Sequence, residues 1–275
     1  MLQYVELVKE ILKNGEKKTD PQKVGNIAIC GYQMRFNLQK GFPLITTRSM
    51  KGAWRVMVYE LLWFLSGSTK TSDLHKNDVH LWDMWATPEI CKSLGLKPGD
   101  LGPTYGKQWR AFNGGGKKTV DQIKNVIHDL KTNPDSRRLI VSAWNPVEVD
   151  KVFVAPCPCL FKFFHANGNL SLHVFWRSGD VPVGIPFDVA EYALLLMMVA
   201  QVTNLKAKDL ICTISDAHIY KNQIKEMKEL IKRKPKRLPK VTLNPKVKDI
   251  FKFKFEDFTL ENYNPHPFIK IPVSL

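Results

Sequence analysis

The sequence predicts one α+β domain that spans residues 1–275. Three observations support this prediction. The length suffices for one large hydrophobic core. The chain contains neither an internal repeat nor a stretch that resembles a linker. Segments typical of strands and helices occur along it, and Asn167-Gly168 is a strong signal for a hairpin between two strands.

The first half of the chain predicts two helices and a strand. Residues 3–13 place apolar side chains at helical spacing, and residues 27–36 have the β-branched and aromatic content of a strand, with a bulge at Gly31. Residues 52–66 predict a helix whose apolar positions surround Glu60. Such an acid lies either on a narrow polar edge or inside the protein for a chemical purpose, and the pattern alone favours neither.

The second half predicts both strands and helices. The predicted elements are a helix over 120–130 capped by Thr119, strands at 139–144, 160–165, 169–176 and 209–214, and helices at 189–203 and 217–232. The helix at 189–203 is apolar on nearly every side, which predicts a central, buried position.

The chain is strongly basic, with 41 Lys and Arg against 26 Asp and Glu, a formal net charge of +15. This balance favours anionic partners, either nucleic acid or small phosphorylated and polycarboxylate molecules. The densest basic run, at residues 232–237, is typical of a solvated face, and we do not expect nucleic acid to bind there.

The N-terminal segment mixes Glu and Lys with apolar residues, unlike a signal peptide, and no apolar run approaches the ~20 residues of a membrane span. The five cysteines are odd in number and scattered, which indicates reduced thiols in a cytoplasmic protein without a membrane. Cys157-x-Cys159 lacks a second Cys or His pair at ligand spacing, so we expect no metal.

Three short segments, at 155–159, 177–180 and 184–188, contain residues with chemical potential. Cys157 is a candidate nucleophile, Arg177 suits a phosphate, and Asp188 suits a nucleotide base. A cysteine in a strand-rich region is also often an inert core residue, which is the interpretation kept for Cys30, Cys159 and Cys212.

Together with further segments, these residues resemble the thymidylate synthase family, which includes the pyrimidine nucleotide hydroxymethylases. The likeness covers nearly the full length. It is carried by residues 33–36, 42–44, 60–65, 105–110, 136–138, 155–157, 177–180, Asp216-x-His218-x-Tyr220 and 255–258. The resemblance implies a three-layer α/β fold with a large curved mixed sheet, and a homodimer packed through its sheets.

The resemblance also implies a reaction. A thiolate at Cys157 would add to C6 of a pyrimidine nucleotide and make C5 enamine-like, because cysteine is both a strong nucleophile and a reversible leaving group. C5 would then attack the methylene carbon of 5,10-methylenetetrahydrofolate. Glu60 would organise proton transfer through water, and Tyr105 lies where the family removes the C5 proton.

Substrate-binding roles follow by the same resemblance. Arg177 and Ser178 would bind the phosphate, with Arg137 and Arg138 donated by the partner subunit, whereas an Arg-Arg pair without the flanking likeness would be surface charge. His218 and Tyr220 would hold the sugar hydroxyl. The residues that would contact the folate are Arg48, Leu81, Trp82, Trp85, Asp180, Gly184, Phe187 and Val273.

Asp188 departs from the family pattern, because thymidylate synthases carry asparagine there. An amide pairs with the O4 and N3–H of uracil, whereas a carboxyl group accepts from the cytosine N4 amino group and, when protonated, donates to N3. This change marks the deoxycytidylate hydroxymethylases, so dCMP is the expected substrate and 5-hydroxymethyl-dCMP the expected product.

Two more departures and several alternatives remain. Pro158 replaces a histidine that many relatives carry, and the family's mobile phosphate arginine falls on Pro21, with Lys18 and Lys23 as candidate substitutes. Trp82 and the apolar tail at Val273 and Leu275 resemble methylating enzymes. Methylation of dCMP, a thymidylate synthase acting on dUMP, and an inactive RNA-binding relative therefore stay open, as does the choice between ribose and deoxyribose.

Overall fold

The computed structural model describes residues 1–20, 22–116 and 118–274. The helices are α1 (Leu2–Asn14), α2 (Lys51–Ser66), α3 (Thr71–His75), α4 (Pro88–Ser93), α5 (Tyr105–Ala111), α6 (Gln122–Thr132), α7 (Gly184–Val202) and α8 (Ile224–Leu230). The strands are β1 (Glu16–Lys18), β2 (Asn26–Asn37), β3 (Ile140–Ser142), β4 (Pro158–Ala166), β5 (Asn169–Asp180), β6 (Lys206–Tyr220), β7 (Lys240–Leu243) and β8 (Phe258–Glu261).

Within the described residues, six strands form one sheet in the order β1-β2-β6-β5-β4-β3. Strands β5 and β6 are parallel and the other neighbours are antiparallel, so the sheet is mixed. The parallel pair is connected through α7, as a parallel connection requires. The large mixed sheet and the accompanying helices confirm the predicted α/β fold class.

The core lies on one face of this sheet. Alternate side chains of β5, such as Leu172, Val174 and Trp176, are fully buried and point toward α7. Helix α2 packs on the other side of α7, so the sheet, α7 and α2 form successive layers. Among the described residues, α7 has the length and composition of a membrane span, but 78% of its apolar window is buried inside the protein, which is typical of a core helix.

The opposite face of the sheet carries several exposed apolar side chains. Leu160 and Phe164 on β4 and Phe175 on β5 are exposed to 39%, 60% and 38%, and Ile140 on β3 lies beside them at 42%. These residues alternate with the buried ones along each strand. The sheet therefore has one face that this chain alone leaves uncovered.

The helix predicted at 217–232 is wrong over its first residues. Strand β6 continues to Tyr220, and Ala28 and Asn26 of β2 pair with His218 and Tyr220. The helix α8 spans only Ile224–Leu230. Pairing with β2 overrides the local helical pattern, and it places His218 and Tyr220 at the end of a central strand.

Two smaller predictions also change. Asp121, and not Thr119, caps α6, because its side chain accepts a hydrogen bond of 3.0 Å from the Lys124 amide. Gly31 has a positive φ of 76° but no bulge, since the pairing register of β2 with β6 is the same on both sides of it. A register shift lies instead between Pro158 and Leu160, beside Cys157.

Candidate active site

A cavity of 870 Å³ opens where β4 begins and where β5 and β6 end. This volume is within the range of small-molecule sites. Helix α2 and the first turns of α5 and α7 form its other walls. It brings together fifteen of the residues predicted from the sequence, namely Glu60, Leu81, Trp82, Trp85, Tyr105, Cys157, Arg177, Ser178, Asp180, Gly184, Phe187, Asp188, His218, Tyr220 and Val273.

The thiol of Cys157 lies on the cavity wall just before β4. Its backbone amide donates to the Tyr105 hydroxyl at 2.9 Å, and its carbonyl accepts from the Arg177 amide at 2.9 Å. The Arg177 Nη2 atom is 3.7 Å from Sγ and is held by the Ala155 carbonyl at 2.6 Å. The backbone and the guanidinium group thus fix the position of the sulfur.

Two opposing effects set the charge of this thiol. Burial raises the pKa of Cys157 to about 11, although the nearby Arg177 guanidinium acts to lower it. The neutral thiol therefore predominates at neutral pH. The positive charge of Arg177 stabilises the thiolate, which is the nucleophilic form.

Asp188 faces the same cavity from the first turns of α7. Its Oδ2 atom accepts a hydrogen bond of 2.8 Å from Nε1 of Trp176, a fully buried residue of β5. Burial raises the pKa of Asp188 to about 7, although the Trp176 hydrogen bond acts to lower it; the neighbouring Asp180 acts in the same direction as burial. Both protonation states are therefore populated near neutral pH, and the carboxyl group can donate as well as accept.

Glu60 occupies the opposite wall, on α2, and is only 4% exposed. Its Oε1 atom accepts a hydrogen bond of 2.5 Å from Nε1 of Trp82. Burial raises the pKa of Glu60 to about 7. The acid is thus inside the protein, which decides between the two interpretations of the sequence pattern, and it is poised to exchange a proton near neutrality.

Flat aromatic surfaces line another part of the cavity. The Trp82 and Trp85 ring centroids are 5.2 Å apart, and Phe187 belongs to the same cavity. Nearby, Asp180 accepts hydrogen bonds from the Gln223 side chain at 3.2 Å and from the Val183 amide at 3.3 Å. An apolar wall with one fixed carboxyl group suits a flat heterocycle that has its own donors.

The C-terminal segment reaches this wall. Gln223 is fully buried and also donates to the Pro272 carbonyl at 2.9 Å, which connects the tail to Asp180. Val273 and Ser274 line the cavity. The predicted contribution of Leu275 lies outside the described residues.

The last part of the cavity is lined by polar and charged side chains. His218 Nδ1 lies 3.0 Å from an Asp216 carboxyl oxygen, and Lys18 forms an ion pair with the same aspartate. The hydrogen bond from His218, together with that from Lys18, lowers the pKa of Asp216 to about 2. The Tyr220 hydroxyl donates to Gln22 Oε1 at 3.2 Å.

Of the two lysines considered as substitutes for the family's phosphate arginine, Lys18 lines the cavity, whereas Lys23 is not part of its described lining. The position of that arginine, Pro21, lies outside the described residues.

A family model described as Thymidylate synthase matches residues 2–275. The chain belongs to the thymidylate synthase family. The family transfers a one-carbon unit to a pyrimidine nucleotide and uses methylenetetrahydrofolate as co-substrate. The protein is accordingly a one-carbon transferase, and the cavity, which contains the thiol, the acids and the aromatic wall, is the candidate site of that reaction.

Three residues assigned from the likeness to thymidylate synthases do not line the cavity of this chain. Arg137 and Arg138 are exposed on the turn before β3. Arg48 is buried, and its Nη2 atom donates to the Pro182 carbonyl at 2.8 Å. A role for Arg137 and Arg138 therefore requires a second subunit, and Arg48 supports the chain beneath Asp180.

Three residues of the candidate site were not predicted from the sequence. Trp176 fixes Asp188, and Gln223 links Asp180 to the C-terminal segment. Glu191 lines the cavity beside Glu60. Only Glu191 had a signal in the sequence, because it is an acid inside the most apolar helix. The other two act through side-chain contacts that pattern analysis cannot show.

Within the described residues, His75, His80 and Asp83 form a group that could hold a metal ion. Asp83 is 2.6 Å from His75 Nε2 and 2.8 Å from His80 Nδ1. These hydrogen bonds account for the arrangement, and the group lies on the surface outside the cavity lining.

Proposed function

We propose that this protein is a deoxycytidylate 5-hydroxymethylase, which converts dCMP to 5-hydroxymethyl-dCMP with 5,10-methylenetetrahydrofolate as co-substrate. The observation that carries this proposal is the Asp188 carboxyl group, which faces the cavity and is held by Trp176 at 2.8 Å. The reaction takes place in the cytoplasm in this proposal. Unpaired thiols at all five cysteines are in keeping with a reducing compartment.

Recognition of cytosine requires an acceptor for the N4 amino group and a donor for N3. A protonated carboxyl group offers both, because one oxygen donates while the other accepts. Burial raises the pKa of Asp188 to about 7, so the protonated form is available at neutral pH. One bidentate base contact of this kind contributes about 1–3 kcal/mol of discrimination.

Covalent activation of the base begins at Cys157 in this proposal. The thiolate adds to C6, the electron pair of the C5–C6 double bond moves to C5, and the sulfur leaves at the end of the reaction. The Arg177 Nη2 atom, 3.7 Å from Sγ, stabilises the thiolate. Glu60 and Tyr105, both buried beside the thiol, accept and return protons, including the one removed from C5.

The folate supplies the one-carbon unit at the methylene level of oxidation. The aromatic wall fits it, because Trp82, Trp85 and Phe187 offer flat surfaces and Asp180 offers an acceptor for ring N–H groups. Gly184, Leu81 and Val273 complete this wall. Arg48 supports it from behind, through its contact with the Pro182 carbonyl.

The phosphate and the sugar occupy the polar part of the cavity in this proposal. Arg177 and Ser178 bind the phosphate from the same chain, and His218 and Tyr220 hold the sugar hydroxyl. Arg137 and Arg138 come from the partner in a homodimer. Exposed apolar residues on the outer face of the sheet, Leu160, Phe164 and Phe175 among them, support that arrangement, since a second copy would cover them.

Addition of water to the C5 methylene group yields the hydroxymethyl product, whereas hydride from the folate would yield a methyl group. Three buried acids, Glu60, Asp188 and Glu191, line the cavity and can hold water near C5. Trp82 resembles the methylating enzymes of the family. Methylation of dCMP is therefore the first alternative, and a thymidylate synthase acting on dUMP is the second.

Product analysis tests the proposal. The protein is incubated with dCMP, dUMP or CMP, each with methylenetetrahydrofolate, and the nucleotides are analysed by mass spectrometry while dihydrofolate is followed by absorbance. We expect 5-hydroxymethyl-dCMP and no dihydrofolate. Methylated dCMP would show that the enzyme methylates its substrate and would overturn the assigned product. Formation of dTMP from dUMP alone would overturn the choice of base.

A further inference from the structure

Glu191 is a buried acid at the active site to which the proposed reaction assigns no proton transfer. It lies on α7, one turn after Asp188, and is 4% exposed. It belongs to the cavity lining, and its Oε1 atom finds no hydrogen-bond donor among the described residues. An acid placed this way is costly unless its proton or its charge is used.

The partner of Glu191 is a second acid. Glu60 and Glu191 are both buried and line the same cavity, where each carboxyl group is a close electrostatic neighbour of the other. Trp82 Nε1 donates to Glu60 Oε1 at 2.5 Å. A hydrogen bond between two carboxyl groups requires a proton on one of them. Two neighbouring buried carboxyl groups that retain one proton between them can form such a bond and avoid the repulsion of two negative charges.

Within the described part of the chain, no cation lies against this pair that would allow both acids to ionise. The titratable groups that face the pair are Asp188 and Tyr192 on α7 and Tyr105 on α5. Two of these are buried phenols and one is another acid. Repulsion between like charges keeps such a pair from ionising twice, as when two carboxylates share one site.

We propose that Glu60 and Glu191 share one proton at neutral pH and act together as a proton reservoir, in which Glu191 is a positioning residue that works through Glu60. This inference rests on the proposed function, in which Glu60 transfers protons to and from the base. When Glu60 gives up a proton, Glu191 donates its hydrogen bond to the new carboxylate. When a proton returns to Glu60, the pair is neutral again.

The directions in which the two pKa values are shifted agree with a proton that stays on Glu191. Burial and the neighbouring Glu60 raise the pKa of Glu191 well above its usual value, whereas burial raises the pKa of Glu60 to about 7. Glu191 is thus the member that keeps its proton, and Glu60 is the member that titrates near neutrality. The last proton therefore leaves the pair well above the range in which a glutamic acid ordinarily ionises.

Infrared spectroscopy tests proton sharing without any need for turnover. The protein is prepared with carbonyl-labelled glutamate, so that Asp188 does not contribute to the isotope-shifted band. At pH 8 we expect the carbonyl stretch of one protonated glutamic acid in the wild type. Absence of that band from the wild type would overturn the proposal, even if the protein converts dCMP.

Glu191→Gln tests the reservoir role, because glutamine keeps the shape and offers an N–H donor in place of the carboxyl O–H, but it shares no proton. We expect the infrared band to disappear and kcat for dCMP to fall roughly tenfold, with KM unchanged. The acid limb of the kcat–pH profile stays, since Glu60 keeps its donor, and the alkaline limb disappears. A variant that loses the band but keeps the wild-type profile would overturn the role.

The matched control is Glu148→Gln. Glu148 is also buried, but it accepts hydrogen bonds from Gln108 and Asn145 and lies outside the cavity lining. We expect this variant to keep both the infrared band and the pH profile of the wild type. Loss of the band in Glu148→Gln would show that the band comes from Glu148 and not from the Glu60–Glu191 pair, and it would overturn the proposal. A wild type that shows the band but converts no pyrimidine nucleotide would remove the proposed function instead.

Discussion

Trp176 Nε1 donates a 2.8 Å hydrogen bond to Asp188 Oδ2, which joins a fully buried side chain of the central sheet to an acid on the cavity wall. The indole group cannot move without disrupting the core, so the carboxyl group has one orientation. The Oδ2 hydroxyl can accept from the indole while it donates its proton to base N3, which leaves Oδ1 to accept from the base amino group. This relationship underlies the proposed choice of cytosine.

Asp188→Asn should shift base preference toward dUMP. The amide donates to O4 and accepts from N3–H of uracil, whereas in cytosine it would face the N4 donor with a donor and the N3 acceptor with an acceptor. The ratio of kcat/KM for dCMP over dUMP should therefore fall roughly 10- to 100-fold. Steady-state kinetics with both nucleotides measures this ratio. Asp209→Asn, which loses an ion pair with Arg35 outside the cavity, is the control and should leave the ratio unchanged. An unchanged ratio in Asp188→Asn would remove the base-recognition role.

Binding of dCMP should weaken as the pH rises above about 7. The pKa of Asp188 is raised to about 7 by burial, so the proton that it donates to N3 is present below that pH and is lost above it. The loss approaches tenfold in Kd for each pH unit once the site is deprotonated. Calorimetric titration at several pH values measures it, and Asp188→Asn should show a flat profile over the same range. A wild-type affinity that is constant from pH 6 to 9 contradicts the prediction.

The overall architecture follows from the sequence, but some boundaries do not. Hydrophobic periodicity predicts α2 and the central position of α7, because both depend on local side-chain order. The end of β6 is missed because residues 217–220 form a strand only by pairing with β2, from far earlier in the chain. Long-range pairing of this kind has no local signal.

The candidate site likewise combines residues that the sequence predicts with a contact that it does not predict. The positions of Cys157 and Asp188 follow from family motifs, whereas the contact between Glu60 and Glu191 joins two helices that are far apart in sequence. Glu191 is an acid in an apolar helix, as Glu60 is, so the same signal could have revealed it. Its chemical importance appears only when the two carboxyl groups are in contact.

Alkylation of Cys157 should be slow at neutral pH and should accelerate up to about pH 11, because burial raises the pKa of its thiol to about 11 and only the thiolate reacts. Arg177→Gln should slow the reaction severalfold at pH 9, since loss of the guanidinium removes the charge that stabilises the thiolate. Iodoacetamide labelling with peptide mass spectrometry gives the rate for this cysteine alone. Arg55→Gln, which changes an arginine outside the cavity lining, serves as the control. Equal rates in Arg177→Gln and the wild type would argue against the electrostatic role of Arg177.

Mixing two inactive variants should restore activity if Arg138 serves the partner's site. Cys157→Ser lacks the nucleophile, and Arg138→Gln lacks a phosphate ligand. In a hybrid dimer, both substitutions fall in one site and the other site is intact. Random reassociation of equal amounts makes about half of the dimers hybrids, so roughly a quarter of wild-type activity should return. Activity is measured after the two proteins are unfolded together and refolded, with each variant refolded alone as the control. A mixture no more active than its components would place Arg138 outside the partner's site.

The most direct measurement of the central claim is tritium release from nucleotides labelled at C5. The protein is supplied with methylenetetrahydrofolate and with either 5-tritiated dCMP or 5-tritiated dUMP, and the tritium that appears in water is counted. We predict release from dCMP at a rate at least tenfold above that from dUMP. Release from dUMP with none from dCMP would contradict the assignment of Asp188 as the residue that selects cytosine.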